Sequence, residues 1–144
     1  MNNYIKVLFT ILTIIWLIVI FMFSHSPSEE SSKLSNTFIE KTFIKVIKIF
    51  NKDVKSKNII EYLKTPVRKL AHFTEYLILG VLMCITLNCY GIKDSTFILL
   101  LCIIYACTDE VHQFFIPGRA CRLFDVFIDS LGSFVGVFVI TLLK

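Results

Sequence analysis

The chain has 144 residues, is 56% hydrophobic and has a mean hydropathy of +0.74. It is too apolar for a soluble domain of this size, so composition indicates an integral membrane protein. The net charge is +4, and most of the Lys and Arg residues fall between residues 33 and 69. A basic stretch beside a membrane meets anionic lipid head groups, and no nucleic-acid-binding motif accompanies it.

The first apolar run, residues 4–23, is long enough to cross a bilayer and predicts an uncleaved membrane span. The Ser-rich stretch 24–35 with Pro27 predicts a polar linker after it. Over residues 34–52, apolar side chains recur at helical spacing and lysines recur on the opposite side. This pattern predicts a basic amphipathic helix in the membrane interface, either a simple anchor or a lid over a site.

A polar stretch, residues 51–64, precedes the second predicted span, residues 66–90. Thr65 and Pro66 are typical of a helix start, with Thr as the N-cap and Pro at the first helical position. The first turns of this span are polar and place three side chains on one face, at spacings of 4 and 3: Arg68, His72 and Glu75.

The third span is predicted over residues 96–116 and the fourth over residues 123–143. The end of the third span carries a stripe at a spacing of 4, with a further carboxylate beside it and an arginine after the Pro-Gly turn: Tyr105, Asp109, Gln113, Glu110 and Arg119. The fourth span begins with Asp125 and Asp129. Gly132 and Gly136 continue that face as a small-xxx-small pair, which favours close approach of another helix.

Because the spans alternate in direction, the start of the second, the end of the third and the start of the fourth lie at one membrane face. Ten polar candidates for a binding site therefore converge there: Arg68, His72, Glu75, Tyr105, Asp109, Glu110, Gln113, Arg119, Asp125 and Asp129. One interpretation is a charge network in which Arg68 or Arg119 pairs with Asp109, Asp125 or Glu75 and locks the helices. The other is a polar pocket for a head group or for acid/base chemistry, because the carboxylates outnumber the cations available to pair with them.

Asp109, Glu110 and His72 are the candidate catalytic residues of such a pocket. Isolated His25 is interpreted as a solvated linker residue. A metal site built from His72, Glu75, Asp109 and His112 is not favoured, since no HExxH-type spacing is present. The five cysteines form no CxxC pair, and we predict no metal site and no cofactor.

Three stretches combine these residues with aromatic neighbours in a fixed order. They read Arg68-Lys69-x-Ala71-His72-Phe73-x-x-Tyr76, Thr108-Asp109-Glu110-x-His112-Gln113-Phe114-x-x-Pro117-Gly118-Arg119 and Asp125-Val126-x-x-Asp129-x-x-Gly132-x-x-x-Gly136. Together with Phe23-Ser24-x-Ser26-Pro27, they resemble the VanZ-like family of bacterial membrane proteins over nearly the whole chain. Two positions depart from the family's common pattern, since Thr108 replaces Ser and Asp129 replaces Asn.

The resemblance implies a multi-pass protein of the bacterial cell membrane, with an association to low-level resistance to teicoplanin, a lipid-tailed glycopeptide antibiotic. We predict one domain over residues 1–144. Its fold class is all-α, an integral membrane four-helix bundle with an interfacial amphipathic helix between the first two spans. The expected partners are membrane lipids, and a lipid-linked cell-wall precursor or the lipoglycopeptide itself; no nucleic acid is expected.

We favour a non-enzymatic protein that modulates glycopeptide susceptibility or envelope lipids through the polar face, because no nucleophile–base pair is visible. The alternative is a membrane-embedded enzyme acting on a lipid-linked or phosphate-bearing substrate, with Asp109 or Glu110 as acid/base and Arg119 holding the phosphate. A transporter or channel subunit is a third hypothesis, and with four spans it would require a homo-oligomer. The positive-inside rule predicts that the polar face is cytoplasmic, whereas a direct role in glycopeptide resistance suits an outward face.

Overall fold

The computed structural model describes residues 3–44 and 56–143, and these ranges hold five α-helices and no strand. The helices are α1 (Asn3–His25), α2 (Ser28–Ile39), α3 (Ser56–Cys89), α4 (Ser95–Phe114) and α5 (Leu123–Leu142); α2 runs on into a short π-helical turn, Glu40–Ile44. The predicted all-α fold class is confirmed.

Four of these helices are long and apolar enough to cross a membrane: Asn3–His25, Ile59–Cys89, Ser95–Phe114 and Leu123–Leu142. The four predicted spans are confirmed, because each helix has at least the roughly 20 residues, predominantly apolar, that a bilayer requires. The chain is a multi-pass membrane protein. Asp94 begins α4 by accepting hydrogen bonds from the backbone N–H groups of Thr96 and Phe97 at 2.9 and 3.3 Å, which satisfies donors that a helix start leaves free.

Two helix starts differ from the prediction. The helix α3 begins at Ser56, so Thr65 is not its N-cap and Pro66 lies inside it. Ile59, Ile60 and Leu63 are half-buried, and burying these apolar positions favours helix upstream of a proline that would otherwise mark a start. The predicted polar stretch is therefore helical from residue 56, and residues 51–55 lie outside the described part of the chain.

The predicted linker after α1 is also helical, since α2 begins at Ser28. Ser32, Ser35 and Thr37 donate their hydroxyl hydrogens to carbonyl oxygens four residues earlier, at 2.6, 3.0 and 2.9 Å. These bonds satisfy the hydroxyls within the helix, so a Ser-rich composition does not by itself end it. The amphipathic helix predicted over residues 34–52 is described only as far as residue 44, and its place in the membrane interface stays a prediction.

Small residues bring α3 and α5 into backbone contact. A Cβ added at Gly132 would collide with the carbonyl oxygen of Phe73, and one at Gly136 would collide with that of Leu77. The predicted close approach at the small-xxx-small pair is confirmed, and its partner is α3. Ile20, Tyr76 and Ala106 meet in a buried cluster that joins α1, α3 and α4.

Candidate functional site

One end of the bundle collects the polar side chains, because the C-terminal ends of α1 and α4 lie beside the N-terminal end of α5 there. We call this the polar end, and Arg119 is its central contact. The guanidinium of Arg119 donates from Nε to the carbonyl oxygen of Ser26 at 2.9 Å and from Nη2 to that of Phe23 at 2.9 Å. These carbonyls belong to the C-terminal end of α1 and the residue beyond it, where a helix lacks internal donors.

Arg119 also connects to the stripe on α4. Its Nη1 atom donates to Oε1 of Gln113 at 2.9 Å, and Nε2 of Gln113 donates to Oδ2 of Asp109 at 3.1 Å. The hydroxyl of Tyr105, the third member of the stripe, donates to the carbonyl oxygen of Leu17 at 2.7 Å. All three stripe residues therefore attach α4, directly or through Arg119, to α1.

The turn before Arg119 explains how the loop reaches α1. Gly118 has a φ of +75°, a left-handed conformation that favours glycine. A Cβ at this position would also lie 3.2 Å from Cβ of Ser28 at the start of α2. The Pro-Gly turn therefore packs tightly against α2 and directs the chain so that Arg119 meets the end of α1.

Three carboxylates are buried at or near the polar end. Asp129, Glu110 and Asp109 are 0%, 1% and 5% exposed. Oε2 of Glu110 accepts a hydrogen bond from the backbone N–H of Arg122 at 2.8 Å, which ties α4 to the start of α5. Neither carboxylate oxygen of Asp129 has a hydrogen-bond partner among the described residues. His72 lies beside it, with Nδ1 at 3.7 Å from Oδ1.

The predicted arginine–carboxylate network does not form within the part of the chain that the structure describes. The ion pair found there is His72–Asp129, which is charged on both sides only when the imidazole is protonated. Arg119 binds backbone carbonyls and an amide instead, because the carbonyl oxygens at the end of α1 lie closer to it than any carboxylate that the structure describes. Burial lowers the pKa of the Arg119 guanidinium and the like charge of Arg68 lowers it further, whereas Asp109 and Glu110 oppose the shift.

A cavity of about 550 Å³ opens between α1, α2 and α3 at the polar end. Four of the ten predicted binding residues line it: Arg68, His72, Glu75 and Arg119. The other six predicted residues do not line it: Tyr105, Asp109, Glu110, Gln113, Asp125 and Asp129. The predicted set thus divides into side chains that face the cavity and side chains that lie outside it, most of them holding the helices together.

Apolar side chains form most of the remaining cavity wall. Trp16 and Phe23 come from α1, Leu34 and Phe38 from α2, and Ile78 from α3. Sequence reasoning assigned none of these residues to a site, because their spacing marks only the apolar faces of separate helices. A lid over the site was one of the two roles predicted for the segment that contains Leu34, and the contribution of α2 to the wall is in keeping with that role.

The histidines also pair in a way that the sequence did not indicate. Nδ1 of His25 lies 3.3 Å from Nε2 of His112, and the two rings stack with centroids 5.5 Å apart. The interpretation of His25 as an isolated linker residue was wrong, because it ends α1 beside the end of α4. Among the described residues no group of three or more His, Cys, Asp or Glu side chains is placed to hold a metal ion. His72 and His112 instead contact Asp129 and His25.

The chain matches a known protein family over nearly its whole length. A family model described as VanZ/LLP1 matches residues 9–144. No curated protein and no solved structure matches the chain.

Proposed function

The chain belongs to the VanZ/LLP1 family, and we propose that it binds a phosphate-bearing lipid of the bacterial cell membrane in the cavity at its polar end. Through that lipid the protein modulates the envelope and the susceptibility of the cell to the lipid-tailed glycopeptide teicoplanin. The observation that carries the proposal is an arginine that has no hydrogen-bond or ion-pair partner among the described residues and lines a cavity with mostly apolar walls.

Arg68 is that arginine. It lines the cavity, and it makes no hydrogen bond or ion pair with any side chain that the structure describes. A charged side chain at membrane depth is costly and is generally paired or functional. A guanidinium presents a planar fork of donors that matches the oxygens of a phosphate group, and such charge-assisted bonds are strong.

Arg119 supports the same ligand chemistry. Its three hydrogen bonds use three of the five N–H donors of a guanidinium, so two donors stay available on a side chain that also lines the cavity. The positive charges of Arg68 and Arg119 act on each other. Two like charges beside one cavity are stabilised by an anion between them.

The cavity volume limits the size of the ligand. About 550 Å³ lies within the range of roughly 300–1,000 Å³ that encloses a drug-sized molecule. A head group with part of a hydrocarbon chain fits this volume, whereas a glycosylated heptapeptide antibiotic exceeds it. The proposed effect on teicoplanin therefore acts through a membrane lipid and not through enclosure of the antibiotic.

Trp16 makes the proposal testable, because it is the single tryptophan of the chain and lines the cavity. The full chain in detergent is titrated with phosphatidic acid carrying brominated acyl chains, which quench indole fluorescence on contact. We expect saturable quenching and, in Arg68→Gln, an affinity lower by about tenfold, as the loss of a charge-assisted hydrogen bond predicts.

Two controls distinguish binding of the lipid in the cavity from its partitioning into the detergent micelle. Brominated diacylglycerol has the same chains without the phosphate and is expected to quench without saturation. Lys93→Gln removes a positive charge from an exposed loop and is expected to bind like the wild type. Equal affinities for wild type and Arg68→Gln would overturn the proposal.

A second candidate function is favoured by one observation, the approach of His72 to Asp129. His72 lines the cavity, and its Nδ1 atom lies 3.7 Å from a fully buried carboxylate. At 3.7 Å the two groups do not hydrogen-bond, but a carboxylate that moves to hydrogen-bond distance behind an imidazole orients the ring and stabilises its protonated form, as in a general base. Asp109 and Glu110, the carboxylates expected to perform acid/base chemistry, do not line the cavity.

In this alternative His72 takes a proton from water as the water oxygen attacks a phosphate ester held by Arg68. The ester P–O bond breaks, and the proton passes to the leaving oxygen. Purified protein would then release a water-soluble phosphate product from a phospholipid, and His72→Gln would abolish the release while leaving lipid binding intact. Absence of product from folded, lipid-binding protein would exclude this alternative.

A further inference from the structure

The cavity wall formed by α3 changes in polarity along the helix. Arg68, His72, Glu75 and Ile78 follow one another at spacings of 4, 3 and 3 and all line the cavity, so they share one face of α3. At about 1.5 Å of rise per residue, Glu75 lies about 10 Å further along the axis than Arg68. Arg68 is nearer the start of the span, and Ile78 is nearer the middle of the bilayer.

Trp16 marks the depth of Glu75, the last polar side chain that α3 contributes to the cavity wall. Its Nε1 atom donates a hydrogen bond to the backbone carbonyl oxygen of Glu75 at 2.9 Å. The indole is therefore held at the level of Glu75, and its ring and the side chain of Ile78 line the cavity there. Along this face of α3, from the membrane face inward, the cavity-lining side chains are a cation, an imidazole, a carboxyl group and then the hydrocarbon side chain of Ile78.

Glu75 lacks a hydrogen-bond partner among the residues that the structure describes. Its side chain makes no hydrogen bond or ion pair with any residue in the described ranges, and it is half-buried in the cavity wall. A carboxylate accepts hydrogen bonds, whereas a fully ionised phosphate has none to donate and repels the carboxylate, so the phosphate does not extend to this depth. The ligand must instead present a hydrogen-bond donor between its phosphate and its hydrocarbon chain.

We propose that the ligand is a single-chain lipid phosphate with a free hydroxyl on the carbon next to the phosphate-bearing carbon, the chemistry of a lysophospholipid. This inference rests on the proposed function and names the class of lipid that the same cavity takes. The phosphate lies at Arg68 and Arg119, the hydroxyl donates to the carboxylate of Glu75, and the chain runs along Trp16 and Ile78. The order of groups in such a lipid matches the order of side chains along α3.

A diacyl phospholipid fits this arrangement poorly. It carries an ester where the lysolipid carries the hydroxyl, and an ester has no hydrogen to donate to Glu75. A site that hydrogen-bonds a ligand hydroxyl binds the analogue that lacks it more weakly, because the polar group is left without a partner, so a diacyl lipid is expected to enter the same cavity with lower affinity. The cavity therefore discriminates at Glu75 between one-chain and two-chain lipid phosphates.

The experiment compares two lipids that differ at a single oxygen. Lysophosphatidic acid with a brominated chain and the same lipid with its hydroxyl O-methylated are titrated against the full chain in detergent, with Trp16 quenching as the signal. The hydroxyl form is expected to bind about tenfold more tightly, as a hydrogen bond to a charged acceptor predicts. Equal affinities would overturn the inference.

Variants at Glu75 and Arg68 locate the effect. In Glu75→Leu the preference for the hydroxyl form is expected to vanish while the methylated lipid binds as in the wild type, which also shows that the variant is folded. Glu75→Gln keeps an acceptor oxygen and is expected to retain part of the preference. Arg68→Gln is expected to weaken both lipids equally and leave the preference unchanged; a preference that survives in Glu75→Leu would overturn the inference.

The outcomes distinguish this inference from the proposed function. If both lipids bind with equal affinity and Arg68→Gln lowers both affinities, the cavity binds lipid phosphates without recognising the hydroxyl group. In that case only the inference fails. If neither lipid gives saturable quenching and Arg68→Gln changes nothing, the proposed function fails with it.

Discussion

Nη2 of Arg119 lies 2.9 Å from the carbonyl oxygen of Phe23, so a side chain from the loop between α4 and α5 closes the C-terminal end of α1. A cation at this position hydrogen-bonds carbonyls at the helix end, one of which also accepts from the backbone N–H of Ser26, and it interacts favourably with the negative end of the helix dipole. The same guanidinium lines the cavity. Arg119 therefore has two positions in the structure at once: it caps the end of the first span and it lines the cavity.

Arg119→Gln is expected to lower the stability of the protein by roughly 2–3 kcal/mol, because three hydrogen bonds from a charged group are lost and the buried Oε1 atom of Gln113 loses its donor. Thermal unfolding in detergent, followed by Trp16 fluorescence, measures the change. Arg122→Gln is the matched control, since the contact of Arg122 with Glu110 is made by its backbone N–H. Equal losses in the two variants would show that Arg119 does not cap α1.

Asp129→Asn is expected to leave the unfolding temperature unchanged or to raise it. The carboxyl of Asp129 is fully buried and lacks hydrogen-bond partners among the described residues, and a charge buried in this way is costly. Asn has nearly the same shape without the charge. If Asp129 instead forms a strong ion pair with protonated His72, the substitution would cost roughly 3–5 kcal/mol, and a fall of that size would contradict the prediction.

Gly132→Ala and Gly136→Ala are each expected to destabilise the bundle by roughly 1–3 kcal/mol, because the added Cβ overlaps a carbonyl oxygen of α3 and pushes the two helices apart. Ser130→Ala serves as the control on the same helix, since its hydroxyl bonds only within α5, to the carbonyl oxygen of Val126. Thermal unfolding reports the difference, and an Ala at either glycine that behaves like Ser130→Ala would argue against the close contact.

The positive-inside rule predicts that the polar end faces the cytoplasm. Two exposed positions at opposite ends of the bundle test this, Glu29 on α2 and Lys93 in the loop before α4. Single cysteines at these positions, in a variant without the native cysteines, are treated in intact cells with a membrane-impermeant maleimide. We expect labelling at position 93, and labelling at position 29 only after the membrane is opened. The reverse pattern would place the cavity outside, within reach of a cell-wall precursor.

Expression of the protein in a susceptible bacterium is expected to raise the inhibitory concentration of teicoplanin, and Arg68→Gln is expected to remove the increase. A glycopeptide without a lipid tail is the control antibiotic, and its inhibitory concentration should not change, because the proposed effect requires a partner in the membrane. An increase that persists in Arg68→Gln at equal expression would show that resistance does not depend on the cavity.

Patterns within single segments predicted the features that depend only on hydropathy and helical spacing. The apolar runs predicted four spans, and the Tyr105, Asp109 and Gln113 spacing predicted one stripe on α4. The predicted starts of α2 and α3 were wrong. Ser-rich and Pro-containing stretches end a helix only when neither the burial of apolar side chains nor hydrogen bonds from hydroxyl groups to the helix backbone favour the helical conformation. At Pro66, burial of the apolar positions before it decided the outcome.

The sequence by itself determined the number of spans and the convergence of the polar side chains at one end, since hydropathy and the alternation of direction suffice for both. Only the tertiary structure decided which of those side chains meet. Arg119 bonds to carbonyls 93 and 96 positions away instead of a nearby carboxylate, and His25 meets His112 across 87 positions. The cavity likewise needs walls from three helices. Such contacts depend on how the helices pack, and no periodicity within one helix encodes them.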